Sequence, residues 1–342
     1  MKRILLIGGT GTISMAITRR LARDPGWEVW LLNRGKRENA LPEGVKQIVA
    51  DIHDEEDVKN KLAGMTFDAA ADFIAFRPEE VERDYRLFRG RVGQYLFTSS
   101  ASAYQKPAGS YLVTEDTPLV NPFWLYSRNK AACERFLMDK YREEGFPATI
   151  VRPSLTYDEK AIPFALSGRK GFWQVLKRMQ EGKPVLVHGD GSSLWQVTFN
   201  EDFATGYVGI LGDPRAVGEA FHITGDEVLT WDQIYKTAAD AMGAPFRPYH
   251  VSSDFLIAAG KQIGMDLTGN FLGDKSVSLV FDNSKIRRFS PEMKTTIPFR
   301  EGVERVLRYL DQHPERKTED PEFDLWCDRV IEAAEEAKRR FL

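Results

Sequence analysis

The chain has 342 residues, 42% of them hydrophobic and 28% charged, with a formal net charge of −3 at pH 7. This length allows one large domain or two smaller ones, and the near-neutral charge gives no electrostatic reason to expect nucleic acid or an anionic membrane as a partner. The two cysteines, Cys133 and Cys327, have no CxxC spacing, which excludes a disulfide scaffold and an all-cysteine zinc site and fits a reducing cytosol.

The chain starts almost at once with a strand pattern, whose apolar run at residues 4–7 is too short for a signal peptide and ends at Gly8. No run approaches the ~18–20 apolar residues that span a bilayer. We therefore expect a cytoplasmic protein without a membrane partner.

The first half of the chain alternates short β-rich runs with helical patterns. The predicted strands cover residues 3–7, 28–32, 46–49, 67–73, 94–98 and 149–152. The predicted helices cover residues 14–22, 55–61, 78–88 and 126–144. This order predicts an α/β fold with a Rossmann-type doubly wound parallel sheet, whose ligand binds beyond the carboxyl ends of the strands.

After about residue 152 the segments become longer and mixed, which predicts a smaller α+β portion that binds the substrate. We place the dinucleotide-binding domain at residues 1–155 and expect residues of about 195–225 to return to it. The remainder, 156–342, is predicted to form mainly the substrate-binding portion and a C-terminal helix. That helix, at 323–342, follows a charged linker and is expected to pack on the protein.

The first strand runs into the glycine-rich segment ILLIGGTGTIS, at residues 4–14. Gly8 and Gly11 separate a strand from a helix, which is the context of a dinucleotide-binding turn. The helix that begins near Thr12 offers free N–H groups and a positive dipole end to a pyrophosphate. Ser14 stands where the usual fingerprint has its third glycine. The alternative is a glycine-rich turn that binds no ligand.

The second strand ends in the basic segment LLNRGKR. Asn33 stands where an acidic residue would bind the adenosine ribose, and Arg34, Lys36 and Arg37 follow it. A guanidinium in place of a carboxylate suits a 2′-phosphate, so the segment favours NADP(H) over NAD. The alternative is a solvated basic loop.

The third and fourth strands end in further candidate contacts. In VADIHD, Asp51 could meet the adenine amino group and Ile52 the adenine face. In DAAADFIAF, Asp72 and Phe73 are predicted to lie beside the cofactor, although Asp72 could equally cap a loop.

A tyrosine and a lysine four residues apart open the helix that begins with YSRNK. Tyr126 and Lys130 lie on one helix face, so they can address one ligand. A free phenol titrates near ~10, but a nearby ammonium and a positively charged nicotinamide ring favour the phenolate. Ser100, in LFTSSASAY after the fifth strand, could hydrogen-bond the substrate oxygen. By itself such a pair is commonly a surface feature of a helix.

These motifs occur in one order and together resemble the extended short-chain dehydrogenase/reductase family, also called the NAD-dependent epimerase/dehydratase family. The resemblance continues through IVRPSLTYD at 150–158, the segment at 181–206 and FDNSK at 281–285, so it extends to about residue 310. Ser14, Asn33 and the fourth strand depart from the family pattern. They suggest an atypical subgroup, similar in its glycine turn and NRG to chloroplast stem-loop RNA-binding relatives.

The resemblance implies that Tyr126 is the general acid/base, that Lys130 binds the nicotinamide ribose and lowers the phenol pKa, and that Ser100 orients the substrate. With the positions argued above, the predicted cofactor contacts are Gly8, Gly11, Thr12, Ile13, Asn33, Arg34, Asp51, Ile52, Asp72, Phe73, Thr98, Ser99, Tyr126, Lys130 and Pro153. The candidate substrate contacts are Ser100, Ser154, Tyr157, Arg169, Trp173, Trp195 and Gln196. The alternative is an ordinary basic surface loop with buried tryptophans.

The resemblance further implies an NAD(P)-dependent oxidoreductase or epimerase that acts on the sugar of a nucleotide-linked sugar. Two alternatives stay open: an NADP(H)-dependent dehydrogenase or reductase of another sugar or small carbonyl compound, and a nucleotide-sensing or RNA-binding protein on the same scaffold. No metal site is evident. A homodimer through the helices that contain Phe88 and Tyr126 is a family expectation.

Overall fold

The structure is a computed structural model that describes residues 1–36 and 41–341. Arg37 of the predicted basic segment lies outside the described residues. The strands are β1 Lys2–Ile7, β2 Trp27–Asn33, β3 Lys46–Val49, β4 Ala69–Asp72, β5 Tyr95–Thr98, β6 Leu112–Val113, β7 Ala148–Pro153, β8 Leu155–Tyr157, β9 Val185–His188, β10 Leu194–Trp195, β11 Val197–Phe199, β12 Ala220–Ile223, β13 Leu229–Thr230, β14 Pro248–Val251 and β15 Val280–Phe281.

The helices alternate with these strands in the first half of the chain and become more frequent in the second. They are α1 Thr12–Ala22, α2 Glu55–Lys61, α3 Pro78–Phe88, α4 Leu125–Glu144, α5 Trp173–Gln180, α6 Asn200–Gly209, α7 Trp231–Ala241, α8 Ser253–Gly260, α9 Thr268–Asn270, α10 Ser284–Phe289, α11 Phe299–Gln312 and α12 Pro321–Arg339. A π-helical turn, Phe271–Lys275, continues α9.

Seven of the strands form one sheet in the order β12-β7-β5-β4-β1-β2-β3, and every pairing in it is parallel. The chain moves from β1 outward to β3 and then crosses back to β4 on the other side of β1. The switch point therefore lies between β1 and β4, where ligands of doubly wound sheets bind. This architecture confirms the predicted α/β fold with a Rossmann-type sheet.

The residue types explain the elements at the centre of the sheet. In β1 the apolar run from Ile4 to Ile7 is fully buried, as expected of a parallel strand covered on both faces. Pro78 begins α3 at its first turn, and the Glu80 carboxylate accepts the N–H of Arg77 at 2.9 Å. Gly145 ends α4 in the left-handed conformation, at φ +69°.

Among the predicted elements of the first half, two begin two residues away from their expected start, and the others begin within one residue of it. The fourth strand was expected at 67–73 but covers Ala69–Asp72, because Phe67 makes only an isolated bridge to Val92. The first helix begins two residues before the expected position, because Gly11 acts as its N-cap.

The second half of the chain contributes to both parts of the molecule. Strand β12 pairs with β7 in the main sheet, and Phe203 and Tyr207 of α6 are buried in the same core as Ile4 of β1. Other segments build a separate core, in which Trp231 of α7 and Trp326 of α12 are buried. The domain boundaries themselves stay a prediction.

Helix α12 is anchored to the protein by buried contacts. Arg178 of α5, whose side chain is almost fully buried, donates to the carboxylates of Asp324 and Asp328, each at 2.7 Å. Trp326 donates its indole N–H to the carbonyl of Ala259 at 3.0 Å. Within residues 1–36 and 41–341, no helix has the length and apolar character needed to cross a bilayer.

Candidate functional site

A cavity of about 700 Å³ opens at the carboxyl ends of β1, β2, β4 and β5. This volume is typical of ligand and cofactor pockets, which range over ~300–1,000 Å³. Its lining includes most of the predicted cofactor contacts, namely Gly8, Gly11, Thr12, Ile13, Asn33, Arg34, Asp51, Ile52, Phe73, Thr98, Ser99, Tyr126, Lys130 and Pro153.

The glycine turn brings the backbone close to the opposite wall of the cavity. Gly8 has φ +82°, and a Cβ built on it would lie only 2.4 Å from Cγ2 of Ile74. A side chain at this position would therefore be strained and would collide with the turn after β4. The N-terminus of α1 follows at Thr12, so its first N–H groups, which have no partner within the helix, face the same space.

Ser14 closes the turn with its hydroxyl group. The hydroxyl accepts the N–H of Gly11 at 2.8 Å and donates to the carbonyl of Gly8 at 2.8 Å. The side chain is almost fully buried, so both bonds are shielded from water. Ser14 thus replaces the third glycine of the usual fingerprint with a side chain that fastens both ends of the turn.

The end of β2 presents basic groups at the mouth of the cavity. Arg34 and Lys36 are exposed, and neither side chain has a hydrogen-bond or ion-pair partner among residues 1–36 and 41–341. Asn33 is less free, because its carbonyl oxygen accepts from the N–H of Gly35 at 2.9 Å and from the Gln47 amide at 2.6 Å. The guanidinium and ammonium are available to an anionic ligand; the Asn33 oxygen is already engaged.

Asp51 and Ile52 follow β3 at the same end of the cavity. Asp51 is exposed, and its carboxylate accepts the N–H of His53 at 3.1 Å. Ile52 is buried, with 4% of its surface exposed. The carboxylate and the apolar side chain therefore lie next to each other, as contacts to an adenine edge and face require.

The structure gives Asp72 the loop-capping role rather than a place on the cavity wall. Asp72 is fully buried and accepts the N–H of Ile74 at 2.8 Å and that of Ala75 at 3.2 Å. Burial raises the pKa of this carboxyl group, while the N–H of Ile74 and the charge of Lys130 act in the opposite direction. Phe73, by contrast, lines the cavity and stacks near Tyr207, with ring centres 5.6 Å apart.

Tyr126 lies at the start of α4 with its ring between two other aromatic side chains. Its ring centre is 5.0 Å from that of Trp124 and 6.3 Å from that of Phe76. Burial raises the pKa of the phenol above its usual value of 10.0, and the nearby Ser100 hydroxyl partly opposes that rise. The sequence predicts a lowered pKa through the nearby ammonium and a bound nicotinamide ring; within the chain itself, burial and the charge of Asp274 raise the pKa of the phenol.

Lys130 is buried one turn further along α4. Its ammonium donates to the carbonyls of Ala75 and Thr98, both at 2.7 Å, and lies 6.0 Å from the centre of the Tyr126 ring. Burial lowers the pKa of this lysine to about 8. The lysine thus joins the ends of β4 and β5 directly beneath the tyrosine.

The ends of β5 and β7 complete this side of the cavity. Ser99 donates its hydroxyl to the carboxylate of Glu134, which also forms a buried ion pair with Arg152 at 2.7 Å. The Thr98 side chain and Pro153 line the cavity, and the Thr98 hydroxyl has no hydrogen-bond partner among the described residues. Ser100 lies beside the lining residues and pairs with the Ser102 hydroxyl at 2.9 Å.

Three of the predicted substrate contacts prove to be parts of the protein core. Trp195 is 2% exposed and packs near Trp231 and Phe281. The side-chain amide of Gln196 is hydrogen-bonded to the backbone on both sides: its nitrogen donates to the carbonyl of Gly225, and its oxygen accepts the N–H of Phe281. Tyr157, also buried, stacks edge-on against aromatic rings of the C-terminal part. All three side chains are enclosed by packing and lie outside the lining of the cavity, and their assignment as substrate contacts stays a prediction.

The other predicted substrate contacts also lie outside the lining of the cavity. Ser154 donates to the carbonyl of Gln196 at 3.0 Å. The exposed Arg169 donates to the carbonyls of Ile263 and Gly264 at 2.6 and 2.7 Å, so it fastens a loop. The Lys317 ammonium lies over the Trp173 ring, 5.4 Å from its centre.

Sequence reasoning missed several residues that line the cavity, and three of them follow strand ends. Ile74 and Phe76 belong to the turn after β4, and His53 follows Asp51 and Ile52. Their position immediately after parallel strands was a usable signal, because the carboxyl ends of all these strands meet at one edge. Phe76 also lies 4.6 Å under the Lys130 ammonium, which no sequence pattern indicates.

The arrangement of sheet, turn and cavity is that of a doubly wound nucleotide-binding protein. A model of the NAD dependent epimerase/dehydratase family matches residues 4–224. The chain belongs to this family, whose members are extended short-chain dehydrogenases/reductases.

By their names, the similar proteins include a reductase and a stem-loop binding protein. The chain is 30% identical over 257 residues to the chloroplast stem-loop binding protein of 41 kDa b from Arabidopsis thaliana, covering 71% of this chain and 64% of that relative. It is 26% identical over 292 residues to 2′-dehydrokanamycin reductase of Streptomyces kanamyceticus, covering 84% of this chain and 79% of the reductase.

Solved structures share the fold at low sequence identity. The structure of UDP-glucuronic acid 4-epimerase from Bacillus cereus, in complex with UDP-glucuronic acid and NAD, superposes with a TM-score of 0.70 and 18% identity. The match covers 91% of this chain and 99% of the epimerase. The family and its relatives support an oxidoreductase or epimerase that uses a nicotinamide dinucleotide.

Proposed function

We propose that this protein is an NAD(P)-dependent oxidoreductase or epimerase that acts on a hydroxyl or keto carbon of a nucleotide-linked sugar. The observation that carries the proposal is the convergence of Tyr126, Lys130 and the glycine turn on one cavity at the switch point of the sheet. The cavity suits a dinucleotide, since the cradle at Gly8 has no room for a Cβ and the N-terminus of α1 offers N–H groups beside it.

The bound dinucleotide supplies hydride transfer to or from the substrate carbon. Tyr126 moves the proton at the substrate oxygen, and the Ser100 hydroxyl next to it orients that oxygen. Lys130 holds the ribose through the N–H that is not given to Ala75 or Thr98. Because burial raises the pKa of Tyr126, the chain alone favours the phenol, which donates a proton to a keto oxygen.

The substrate class is supported by similar proteins rather than by contacts in this chain. The Bacillus cereus epimerase was solved with UDP-glucuronic acid, and a relative from Bacillus subtilis, 28% identical over 152 residues, is named an uncharacterized UDP-glucose epimerase. The aromatic group of Phe76, Trp124 and Tyr126 offers apolar surface beside the phenol, as a sugar ring requires.

The test combines native mass spectrometry with turnover assays. A co-purified dinucleotide would give a mass difference that identifies it, and the purified protein should then convert one member of a panel of UDP- and dTDP-linked sugars. Conversion is followed by nucleotide-sugar chromatography and by the absorbance of reduced cofactor. A protein that neither retains nor binds NAD(H) or NADP(H) by fluorescence titration would overturn the proposal.

A second candidate is an NADP(H)-dependent reductase of another sugar or small carbonyl compound. Arg34 and Lys36 favour it, since both are exposed at the mouth of the cavity without a partner among the described residues. The similarity to 2′-dehydrokanamycin reductase agrees with this class. A net oxidation or reduction with stoichiometric NADP(H) consumption favours the reductase; sugar isomerisation without net cofactor turnover favours the epimerase.

A nucleic-acid-binding role is the third candidate, since one relative is named a stem-loop binding protein. The net charge of −3 and the presence of Ser100, Tyr126 and Lys130 argue against it. Strong, salt-sensitive binding of RNA in a filter assay would revive it. A homodimer through α3 and α4 remains a prediction that sedimentation can test.

A further inference from the structure

His53 lines the end of the cavity at which adenosine is expected, but none of the roles proposed above uses it. It follows Asp51 and Ile52 shortly after β3, and its backbone N–H donates to the Asp51 carboxylate at 3.1 Å. His53 is exposed, so a ligand in the cavity can reach it. An imidazole thus lies beside the carboxylate and the apolar side chain that are expected to meet adenine.

The ring of His53 is held by a buried arginine of α3. Arg83 is 6% exposed, and its Nη1 donates to Nδ1 of His53 at 3.2 Å. Because a guanidinium has hydrogen-bond donors only, Nδ1 must be the acceptor in this bond. The hydrogen-bond pattern therefore assigns a neutral ring whose single N–H lies on Nε2.

Arg83 is itself fixed by groups in the protein interior. Its Nε and Nη2 donate to one carboxyl oxygen of Asp84, at 2.9 and 2.8 Å. Asp84 has no exposed surface, and its second oxygen accepts the Tyr95 hydroxyl at 2.8 Å. Since Tyr95 belongs to β5, this series of bonds connects the His53 ring to the centre of the main sheet.

The second ring nitrogen of His53 is left to the cavity. The two nitrogens of an imidazole point away from each other, and Nε2 has no hydrogen-bond partner among residues 1–36 and 41–341. The cavity thus presents a donor at Nε2, an acceptor at the Asp51 carboxylate and the apolar side chain of Ile52. Adenosine is complementary to this set, because its amino group donates while its ring nitrogens and hydroxyl oxygens accept.

We propose that His53 is a further contact to the dinucleotide, donating its Nε2–H to an acceptor atom of the adenosine part, and that Arg83 is the positioning residue that fixes its tautomer. This inference rests on the proposed function, because it requires a bound dinucleotide. It adds a donor at the adenosine end, where the Asp51 carboxylate can only accept.

The test compares two substitutions that each keep one half of the imidazole. His53→Asn places an amide oxygen near the position of Nδ1, so it keeps an acceptor for Arg83 and loses the donor at Nε2. His53→Gln places an amide nitrogen near the position of Nε2, so it keeps the donor and loses the acceptor. Each variant is therefore the control for the other.

The probes are NADH, NADPH and reduced nicotinamide mononucleotide, which contains nicotinamide, ribose and one phosphate but no adenosine. Fluorescence titration of His53→Asn should show roughly 2- to 12-fold weaker binding of the preferred dinucleotide, the range expected for one net hydrogen bond. His53→Gln should have an affinity between those of His53→Asn and the wild type. All three proteins should bind the mononucleotide equally well, because it lacks the part that reaches His53.

An unchanged dinucleotide affinity in His53→Asn would overturn the proposal, and so would an equal loss in both variants. A parallel loss of mononucleotide affinity would also overturn it, because that loss would reveal a general distortion of the cavity. A wild-type protein that binds neither NADH nor NADPH would instead overturn the proposed function, and this inference with it.

The role of Arg83 is tested by nitrogen-15 NMR of the His53 ring at about pH 8, where imidazoles are ordinarily neutral. The wild-type ring should carry its hydrogen on Nε2. In Arg83→Lys, whose single ammonium binds Asp84 and leaves Nδ1, the ring should populate both tautomers. A hydrogen on Nδ1 in the wild type, or an unchanged single tautomer in Arg83→Lys, would overturn this role.

The same spectra keep the proposal testable if the variants do not fold. In the unmodified protein, the Nε2 resonance should move on addition of the dinucleotide and stay in place on addition of the mononucleotide. An Nε2 resonance that the dinucleotide binds without moving would overturn the proposed contact.

Discussion

The Ser14 hydroxyl accepts the backbone N–H of Gly11 at 2.8 Å, and this bond closes the turn in which the family fingerprint would have another glycine. The same hydroxyl donates to Gly8, so one side chain fixes both the end of β1 and the start of α1. The departure from the fingerprint is therefore a change in how the turn is held, not a loss of the turn.

Ser14→Ala should lower the free energy of unfolding by about 1–2 kcal/mol, because it leaves a helix start and a buried carbonyl without their partner. Ser14→Gly restores the glycine but should be no more stable, since it also removes the hydroxyl. Urea unfolding measures the stability of both Ser14 variants. Dinucleotide titration measures whether the altered turn changes cofactor affinity. Thr237→Ala, which removes a hydroxyl bond of 2.7 Å within α7, is the control and should leave dinucleotide affinity unchanged.

Tyr126→Phe should reduce turnover by about 10²–10⁴-fold, the range that loss of a positioned proton-transfer group produces. Dinucleotide affinity should stay close to that of the wild type, because the aromatic contacts to Trp124 and Phe76 are kept. Single-turnover kinetics separates the two quantities. Tyr111→Phe is the control, since this tyrosine is 64% exposed and should retain full activity. Near-normal turnover in Tyr126→Phe would remove the tyrosine from its proposed role.

The main sheet and its helices could be predicted because their signals are local. The apolar run of β1 and the Pro78 start of α3 depend on a few neighbouring residues, and α3 covers the residues expected of it. The function of Ser14 could not be predicted in this way. It requires knowing that the Gly8 carbonyl and the Gly11 N–H face one point, which only the folded turn determines.

Which of the predicted substrate contacts stay accessible could not be predicted, because segments far away in the sequence determine whether their side chains are buried. Trp195 and Gln196 look like binding residues in sequence, but β15 covers them: the Phe281 ring packs against the indole, and the Phe281 N–H donates to the side-chain oxygen of Gln196. Arg169 likewise finds its acceptors almost a hundred residues away, at Ile263 and Gly264. No local pattern distinguishes such residues from those that remain open to a ligand.

Stability should fall in mild acid because of His188. Burial lowers the pKa of this imidazole to about 4, below its usual value near ~6.5 in the unfolded chain. The unfolded state therefore binds the proton first, so the contribution of neutral His188 is complete above about pH 6.5 and is lost as pH falls toward 4. The loss amounts to at most about 3 kcal/mol. Buried His222, whose pKa is also lowered, acts in the same direction.

Urea unfolding at several pH values measures this effect. His188→Gln should flatten the dependence between about pH 6.5 and 4, because glutamine does not titrate in that range. His313→Gln is the control, since its side chain is 43% exposed, and it should keep the wild-type slope. An unchanged slope in His188→Gln would show that other groups cause the acid sensitivity.

Arg34→Ala should weaken NADP(H) far more than NAD(H), because only the former carries a 2′-phosphate for the guanidinium to bind. Loss of one such charge-assisted contact corresponds to about 1.5–3 kcal/mol, or roughly 10- to 150-fold in affinity. Fluorescence titration of both reduced cofactors measures the ratio. The exposed Arg308 of α11 gives the control, since Arg308→Ala should leave both affinities unchanged. Equal losses for the two cofactors in Arg34→Ala would mean that Arg34 does not contact the phosphate.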